Sequence, residues 1–285
     1  MEFKSFDSLE TAHLQNSRTL NDYFYQLYKL AINRFKWNGL PQYIESTIEK
    51  SYFWYGCVGC IKDEEVDEIL FLPFSGNGGL NTYGIFSSYN FYGMNGYVYN
   101  SLREDSILSW DNNTKIPMCF SIQSYIERIC NVQRTEDINL SAQKMPVMVY
   151  ASDKIRLSVK NLFAKISNFN PYVIVSQKNF NPDMFQSLDM KAKYLVNDMQ
   201  EYKYQLLNEV MQMLGIETNI FDKAERQISI EVSSSLGRTK IEREISLNNR
   251  KKFCEEVNKK YGTDISVEFN SDLVVESKNG GEEYE

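Results

Sequence analysis

The stretch MKAKYLVNDMQEYKYQLLNEVMQMLG, residues 190–215, has the clearest periodic pattern in the chain. Its apolar side chains recur every three or four residues, which places them on one face of a helix. They are Leu195, Met199, Tyr202, Leu206, Val210 and Met213. Gly215 follows at the position where glycine commonly ends a helix. The segment predicts a helix roughly 35 to 40 Å long, since each helical residue rises 1.5 Å.

Four more helices are predicted by the same spacing or by charged helical composition. They span residues 20–34, 121–140, 221–231 and 246–261. Gly39 and Pro41 end the first, and Gly262 closes the last. Residues 233–240, SSSLGRTK, are predicted to form a flexible polar stretch between the last two helices, because serine and glycine favour loops.

Between residues 52 and 110 the pattern changes to short aromatic or β-branched runs separated by glycine. This pattern predicts a small antiparallel sheet or barrel. The runs are 52–61, 68–72, 83–91 and 97–99, with turns expected near Gly76–Gly79 and Asn95-Gly96. Shorter strands are predicted at 145–151, 172–175 and 265–269, and between the first two Ser158 could cap a short helix.

The composition sets limits on the class of protein. The chain has 285 residues, 42% of them hydrophobic and 24% charged, which suits one or two packed domains. Five cysteines and no signal-peptide pattern predict free thiols in a reducing compartment. No apolar run approaches the roughly 20 residues of a membrane-spanning helix. A net charge of -7 excludes a strongly basic DNA-coating protein.

Catalytic and metal sites are disfavoured. His13 is the single histidine, so catalysis by Ser/His/Asp or Cys/His has no partner. Cys57 and Cys60 have the spacing of a zinc or redox half-site, but no second pair exists, and packing is the alternative. Gly76–Gly79 is either a phosphate cradle or a turn, and the missing Lys-Ser or Lys-Thr favours the turn. The acidic run 63–68 is either a catalytic pair or a solvated connection.

Several separated strings resemble one family in their order and spacing. They are FKWNGLP at 35–41, GCVG at 56–59, AQKMPV at 142–147, LSVK at 157–160, EVSS at 231–234 and KYG at 260–262. The chain is similar over about residues 14–270 to the upper collar proteins of small short-tailed bacteriophages with protein-primed DNA replication. These proteins are also called head-tail connectors or portal proteins.

The resemblance implies an α+β portal fold with long stem helices, an SH3-like β-rich wing and a small α/β clip. The implied order is an N-terminal helical part of the wing at 1–51, the β-rich wing module at 52–112, a stem helix at 113–144, the clip at 145–188, a second stem helix at 189–215, the channel loop with wide-end wing or crown helices at 216–270, and a disordered acidic tail at 271–285.

The implied function is structural, with no enzymatic activity and no cofactor. The resemblance implies a homo-dodecamer at the portal vertex of the virion, assembled in the host cytoplasm, through which double-stranded DNA enters and leaves. Its implied partners are the major capsid and scaffolding proteins, a packaging ATPase and the lower collar and tail proteins, with no membrane. The alternative is another collar or tail adaptor without a direct DNA role.

The resemblance also suggests which side chains meet DNA. The segment from about 232 to 244 matches the family's channel loop, so Arg238, Lys240 and Arg243 are the candidate DNA contacts. Family members can carry lysine rings on the stem helix, whereas the matching positions here lie near Asp189 and Asp198. The possible stem-channel lining therefore consists of Asp189, Lys191, Lys193, Asp198 and Lys203.

Overall fold

The computed structural model describes residues 9–63, 67–143, 147–149, 185–187, 193–217 and 229–271. Its helices are α1 Leu9–Ile32, α2 Gln42–Tyr55, α3 Met118–Ala142, α4 Val196–Met213 and α5 Ser229–Tyr261. None of these helices is long and apolar enough to cross a membrane. The mixed helix and sheet class is confirmed.

All strand pairs in the described residues are antiparallel. The strands are β1 Phe35–Asn38, β2 Cys57–Asp63, β3 Glu68–Leu72, β4 Phe74–Leu80, β5 Phe86–Tyr92, β6 Val98–Leu102, β7 Ile107–Trp110, β8 Val147–Val149, β9 Phe185–Ser187 and β10 Ser266–Phe269. They form sheets in the orders β1-β10, β3-β2-β7, β4-β5-β6 and β8-β9. The predicted antiparallel character of the 52–110 region is confirmed.

The chain divides into two compact units, residues 1–131 with 203–285, and residues 132–202. In the second unit, Asn139 joins the end of α3 to the residues before α4. Its Nδ2 donates to the carbonyl of Lys193 at 2.8 Å, and its Oδ1 accepts from the amide of Leu195 at 3.2 Å. The strands β8 and β9 also belong to this unit. Most of the predicted clip, including the helix and strand expected after Ser158, lies outside the described residues.

Strand β2 lies between two clusters of the first unit's core. Val58 and Cys60 belong to a cluster with α2, α5 and β10, whereas Cys57 and Ile61 belong to a cluster with β4 and β5. Successive side chains of a strand point to opposite faces, so each face of β2 contributes to a different cluster. Gly59 allows close packing here, because a Cβ atom would come within 2.4 Å of the Phe91 ring.

Two arginines and two acids form a charge-balanced network inside this unit. Arg250 is fully buried and donates to Glu49 at 2.9 Å and to Asp111 at 2.7 Å. Arg34 lies 3.8 Å from Asp111, and Trp37 donates its indole proton to Glu49 at 2.9 Å. Desolvation acts to raise the pKa of Asp111, but the two arginines outweigh it and the pKa is lowered.

Several element predictions need correction. Residues 52–55, predicted as strand, end helix α2, because Ile48 and Tyr52 lie one helical turn apart and both face the core. Gly76–Gly79, predicted as a turn, lies in β4 next to a register shift. The turn comes later, where Asn81 Oδ1 accepts from the amides of Tyr83 and Ile85 at 2.9 Å. The first helix begins at Leu9 rather than residue 20, and α4 begins at Val196 rather than residue 190.

Candidate functional site

The segment that carries the candidate DNA contacts is helical. Residues 233–240, predicted as a flexible stretch, belong to α5, which continues without a break to Tyr261. The segment contains no proline, and Gly237 costs a helix only about 1 kcal/mol relative to alanine. The C-terminal half of the helix is anchored by Phe253, Cys254 and Val257 in the core. Once a helix is nucleated, extension is cheap, which explains the continuity. Of the helix predicted at 221–231, residues 221–228 lie outside the described residues and residues 229–231 belong to α5.

Arg238 and Lys240 are both exposed on α5. Side chains two residues apart on an α-helix are separated by about 200° around its axis, so these two side chains leave the helix on different sides. The charge of Arg238 acts on Tyr125 of α3. Burial raises the pKa of Tyr125 and Glu209 adds to the rise, whereas Arg128 and Arg238 oppose it.

Arg243, the third candidate, is half-buried and makes its contacts within the protein. Its Nε donates to the carbonyl of Gly215 at 2.8 Å, and its Nη2 donates to Glu217 at 3.0 Å. The guanidinium also lies 4.0 Å from the centre of the Phe269 ring. Arg243 therefore fastens the chain after α4 to α5 and β10.

The backbone conformation at the end of α4 allows Arg243 of α5 to come close to Gly215. Gly215 has a φ of +71°, and a Cβ atom there would come within 2.8 Å of the Cα of Arg243. The amide of Ile216 donates to the carbonyl of Met211 at 2.9 Å, which satisfies a carbonyl at the helix end. The predicted helix stop at Gly215 is confirmed, and glycine permits the close approach of α5.

Of the possible stem-lining residues, Asp189 and Lys191 lie outside the described residues. Lys193 is exposed just before α4. Asp198 is exposed in the first turn of α4, where a carboxylate is favoured by the helix dipole. Lys203 is half-buried on the same helix. Whether any of them lines a channel stays a prediction.

The sequence features weighed as metal or catalytic sites have structural contacts. Cys57 and Cys60 are buried on opposite faces of β2, because side chains three residues apart in a strand point to opposite sides. Burial raises the pKa of both thiols. In the acidic run, Asp63 accepts a hydrogen bond from the Tyr97 hydroxyl, and Asp67 pairs with Lys62 at 2.8 Å. Among the described residues, no group of three or more His, Cys, Asp or Glu is arranged to hold a metal.

Comparison with known protein families gives a match over nearly the whole chain. Residues 2–274 match the family model described as Phage Connector (GP10). A similar solved structure is the portal and tail of native bacteriophage P68, at 13% identity over 94% of this chain and 93% of that chain, with a TM-score of 0.47. A second is the neck of a native gene transfer agent particle computed with C12 symmetry, at 10% identity over 92% and 84%, with a TM-score of 0.48. Since the structural likeness is distant, the family match carries the assignment.

Proposed function

The chain belongs to the phage connector family, and we propose that copies of it form a ring around a channel for double-stranded DNA at one vertex of a phage capsid. The observation that carries this proposal is the family match over residues 2–274 of 285. By analogy with the family, the ring has twelve subunits and conducts the genome during packaging and ejection.

The charge of the chain suits a conduit better than a DNA-coating protein. Each phosphate neutralised by a fixed lysine or arginine adds salt-dependent affinity, and a ring repeats every lining residue in each subunit. A densely basic lumen would hold the duplex rather than let it slide. A net charge of -7 with a few basic positions is compatible with guiding DNA through contacts to its backbone.

Arg238 and Lys240 are the basic residues that we assign to DNA. Both are exposed on α5, in the segment that the family resemblance matches to the channel loop. Arg243 has its guanidinium on Gly215, Glu217 and Phe269, so we assign it to holding the fold. The different directions of Arg238 and Lys240 imply that the duplex meets one of them more closely than the other.

The energy for packaging comes from a separate ATPase in this proposal, because the chain has no Walker A motif. We place that motor at the clip, residues 145–188. Scaffolding and major capsid proteins are assigned to the wing, residues 52–112. Lower collar and tail proteins take the motor's place after packaging.

The test compares Arg238→Ala/Lys240→Ala with the control Lys251→Ala/Lys259→Ala, which removes two exposed charges from the same helix. We expect both variants to form rings, and only the first to lower DNA retention or packaging. The salt dependence of binding should also weaken: the magnitude of the slope of log affinity against log salt should decrease by about one for each lost phosphate contact. Equal packaging by both variants would show that Arg238 and Lys240 have no role in DNA handling. It would favour the alternative of a collar or tail adaptor.

A further inference from the structure

The sheet β4-β5-β6 and its hairpin turns contain no charged residue. Residues 73–102 include no Asp, Glu, Lys, Arg or His, although 24% of the whole chain is charged. Large apolar side chains in this region are nevertheless exposed. Tyr83 is 88% and Met94 is 90% exposed, and Tyr92, Val98 and Leu102 are also exposed. We call this surface the neutral sheet face.

Uncharged polar side chains fill the middle of this face. Asn90 Oδ1 accepts from Asn100 at 2.8 Å and from Asn77 at 3.3 Å, so the three strands are joined by amide contacts. Ser75 and Tyr92 share a hydrogen bond of 2.9 Å between their hydroxyl groups. Interface cores are depleted of charged residues and enriched in tyrosine and methionine. The neutral sheet face has this composition.

A second neutral surface lies where the end of α2 meets the start of α3. Its exposed members are Trp54, Tyr55, Ile116 and Phe120, and we call it the neutral helical patch. The two segments lie together, because a Cβ atom on Gly56 would come within 3.1 Å of the Pro117 nitrogen. Residues 51–61 and 116–126 also contain no charged side chain.

We propose that the neutral sheet face of one copy packs against the neutral helical patch of the next copy around the ring. This inference rests on the proposed function, because a cyclic ring joins two different surfaces of each subunit. Each copy carries a net charge of -7, so identical copies repel one another. Two uncharged aromatic surfaces on the same unit of the chain allow contact without opposing like charges.

The test uses a sheet variant, Val98→Asp/Leu102→Asp, and a patch variant, Tyr55→Asp/Phe120→Asp. The control, Tyr43→Asp/Ile241→Asp, places the same charges at exposed apolar positions outside both surfaces. Circular dichroism checks that each variant is folded, and native mass spectrometry measures the oligomer. We expect rings from the wild type and the control, and none from the other two variants.

Mixing the two defective variants gives the decisive result. One intact junction remains between the patch of the sheet variant and the sheet of the patch variant, so the mixture should form heterodimers that cannot extend. Rings from either variant alone, a folded mixture without heterodimers, or loss of the ring in the control would overturn the inference while leaving a wild-type ring intact. A wild type that forms no ring even with scaffolding protein would instead contradict the proposed function.

Discussion

Arg250 and Glu49 form a two-pronged ion pair in the core of the first unit. The Nε and Nη2 atoms of the arginine each donate to one carboxylate oxygen at 2.9 Å. The guanidinium also lies 4.0 Å from the centre of the Tyr52 ring. These contacts join helix α5 to helix α2 across 201 positions of sequence. Replacing one partner would leave a buried charge without its counterion.

Glu49→Ala is therefore expected to lower the free energy of unfolding by about 3 to 5 kcal/mol, the usual cost of an uncompensated buried charge. Urea unfolding followed by tryptophan fluorescence measures this change, and Trp37 reports on the site because it donates to Glu49. Asp67→Asn is the control, since its pair with Lys62 is exposed and should leave the midpoint nearly unchanged. Equal shifts in both variants would contradict the assignment.

Acid should weaken the same network through Asp111. The pKa of Asp111 is lowered in the folded protein by Arg250 and Arg34, against the opposing effect of desolvation. A carboxyl with a lowered folded pKa adds stability above its unfolded pKa of about 3.9 and loses it as the pH falls toward the folded value. Urea midpoints of the wild type should therefore drop below about pH 4.

Asp111→Asn is expected to be less stable than the wild type near neutral pH and to show a shallower fall in acid, because the titrating group is gone. Urea midpoints at several pH values measure both effects. If the urea midpoint of the variant fell with pH as steeply as that of the wild type, the acid sensitivity would belong to other carboxyl groups.

Gly215 and Gly262 form a matched pair for testing the contact between α4 and α5. Both have left-handed φ angles, +71° and +67°, so alanine costs each roughly 1 to 2 kcal/mol. Only at Gly215 would the new Cβ meet backbone, 2.8 Å from the Cα of Arg243, whereas Gly262 has no neighbour within 4 Å. Gly215→Ala should cost about 1 to 3 kcal/mol more than Gly262→Ala in thermal or urea unfolding.

Thiol chemistry distinguishes packing cysteines from a metal or redox site. Cys57, Cys60, Cys130 and Cys254 are buried, whereas Cys119 is partly exposed. Burial raises the pKa of the Cys254 thiol to about 12, which disfavours the reactive thiolate at neutral pH. Burial also raises the pKa of Cys119, but its partial exposure should make it the thiol that reacts first with Ellman's reagent in unassembled subunits, and Cys119→Ser should remove that reaction. Fast reaction of Cys57 or Cys60, or zinc retained by native protein, would instead support a zinc or redox site at these two cysteines.

Local patterns predicted long helices and glycine stops better than they predicted aromatic or glycine-rich segments. Helical spacing predicted the helices found as α3 and α4, and Ile122, Ile126 and Val210 on these helices are buried. The aromatic run 52–55 favoured a strand by composition, but the packing of Tyr52 one turn after Ile48 produces a helix. Strand propensity depends strongly on context, so composition alone misassigned it.

The buried network could not be predicted because its members are distant in sequence. Glu49, Asp111 and Arg250 each resemble ordinary surface charges in their local windows. The one available signal was the position of Glu49 between Ile48 and Tyr52 on the inner face of α2, which requires recognising that helix first. Arg243 was grouped with Arg238 and Lys240 by charge, although its contacts with Gly215 and Glu217 arise only from tertiary packing.

Strand β2 contributes one face to each of two hydrophobic clusters. Removing the strand from either cluster would open both, so the aromatic sheets and the neighbouring helices melt as one cooperative unit. We therefore expect a force on the aromatic sheets to load the helical core through β2 rather than to unfold the sheets alone. Under the function proposed above, this continuity would help each subunit of the ring to stay folded while DNA passes through it.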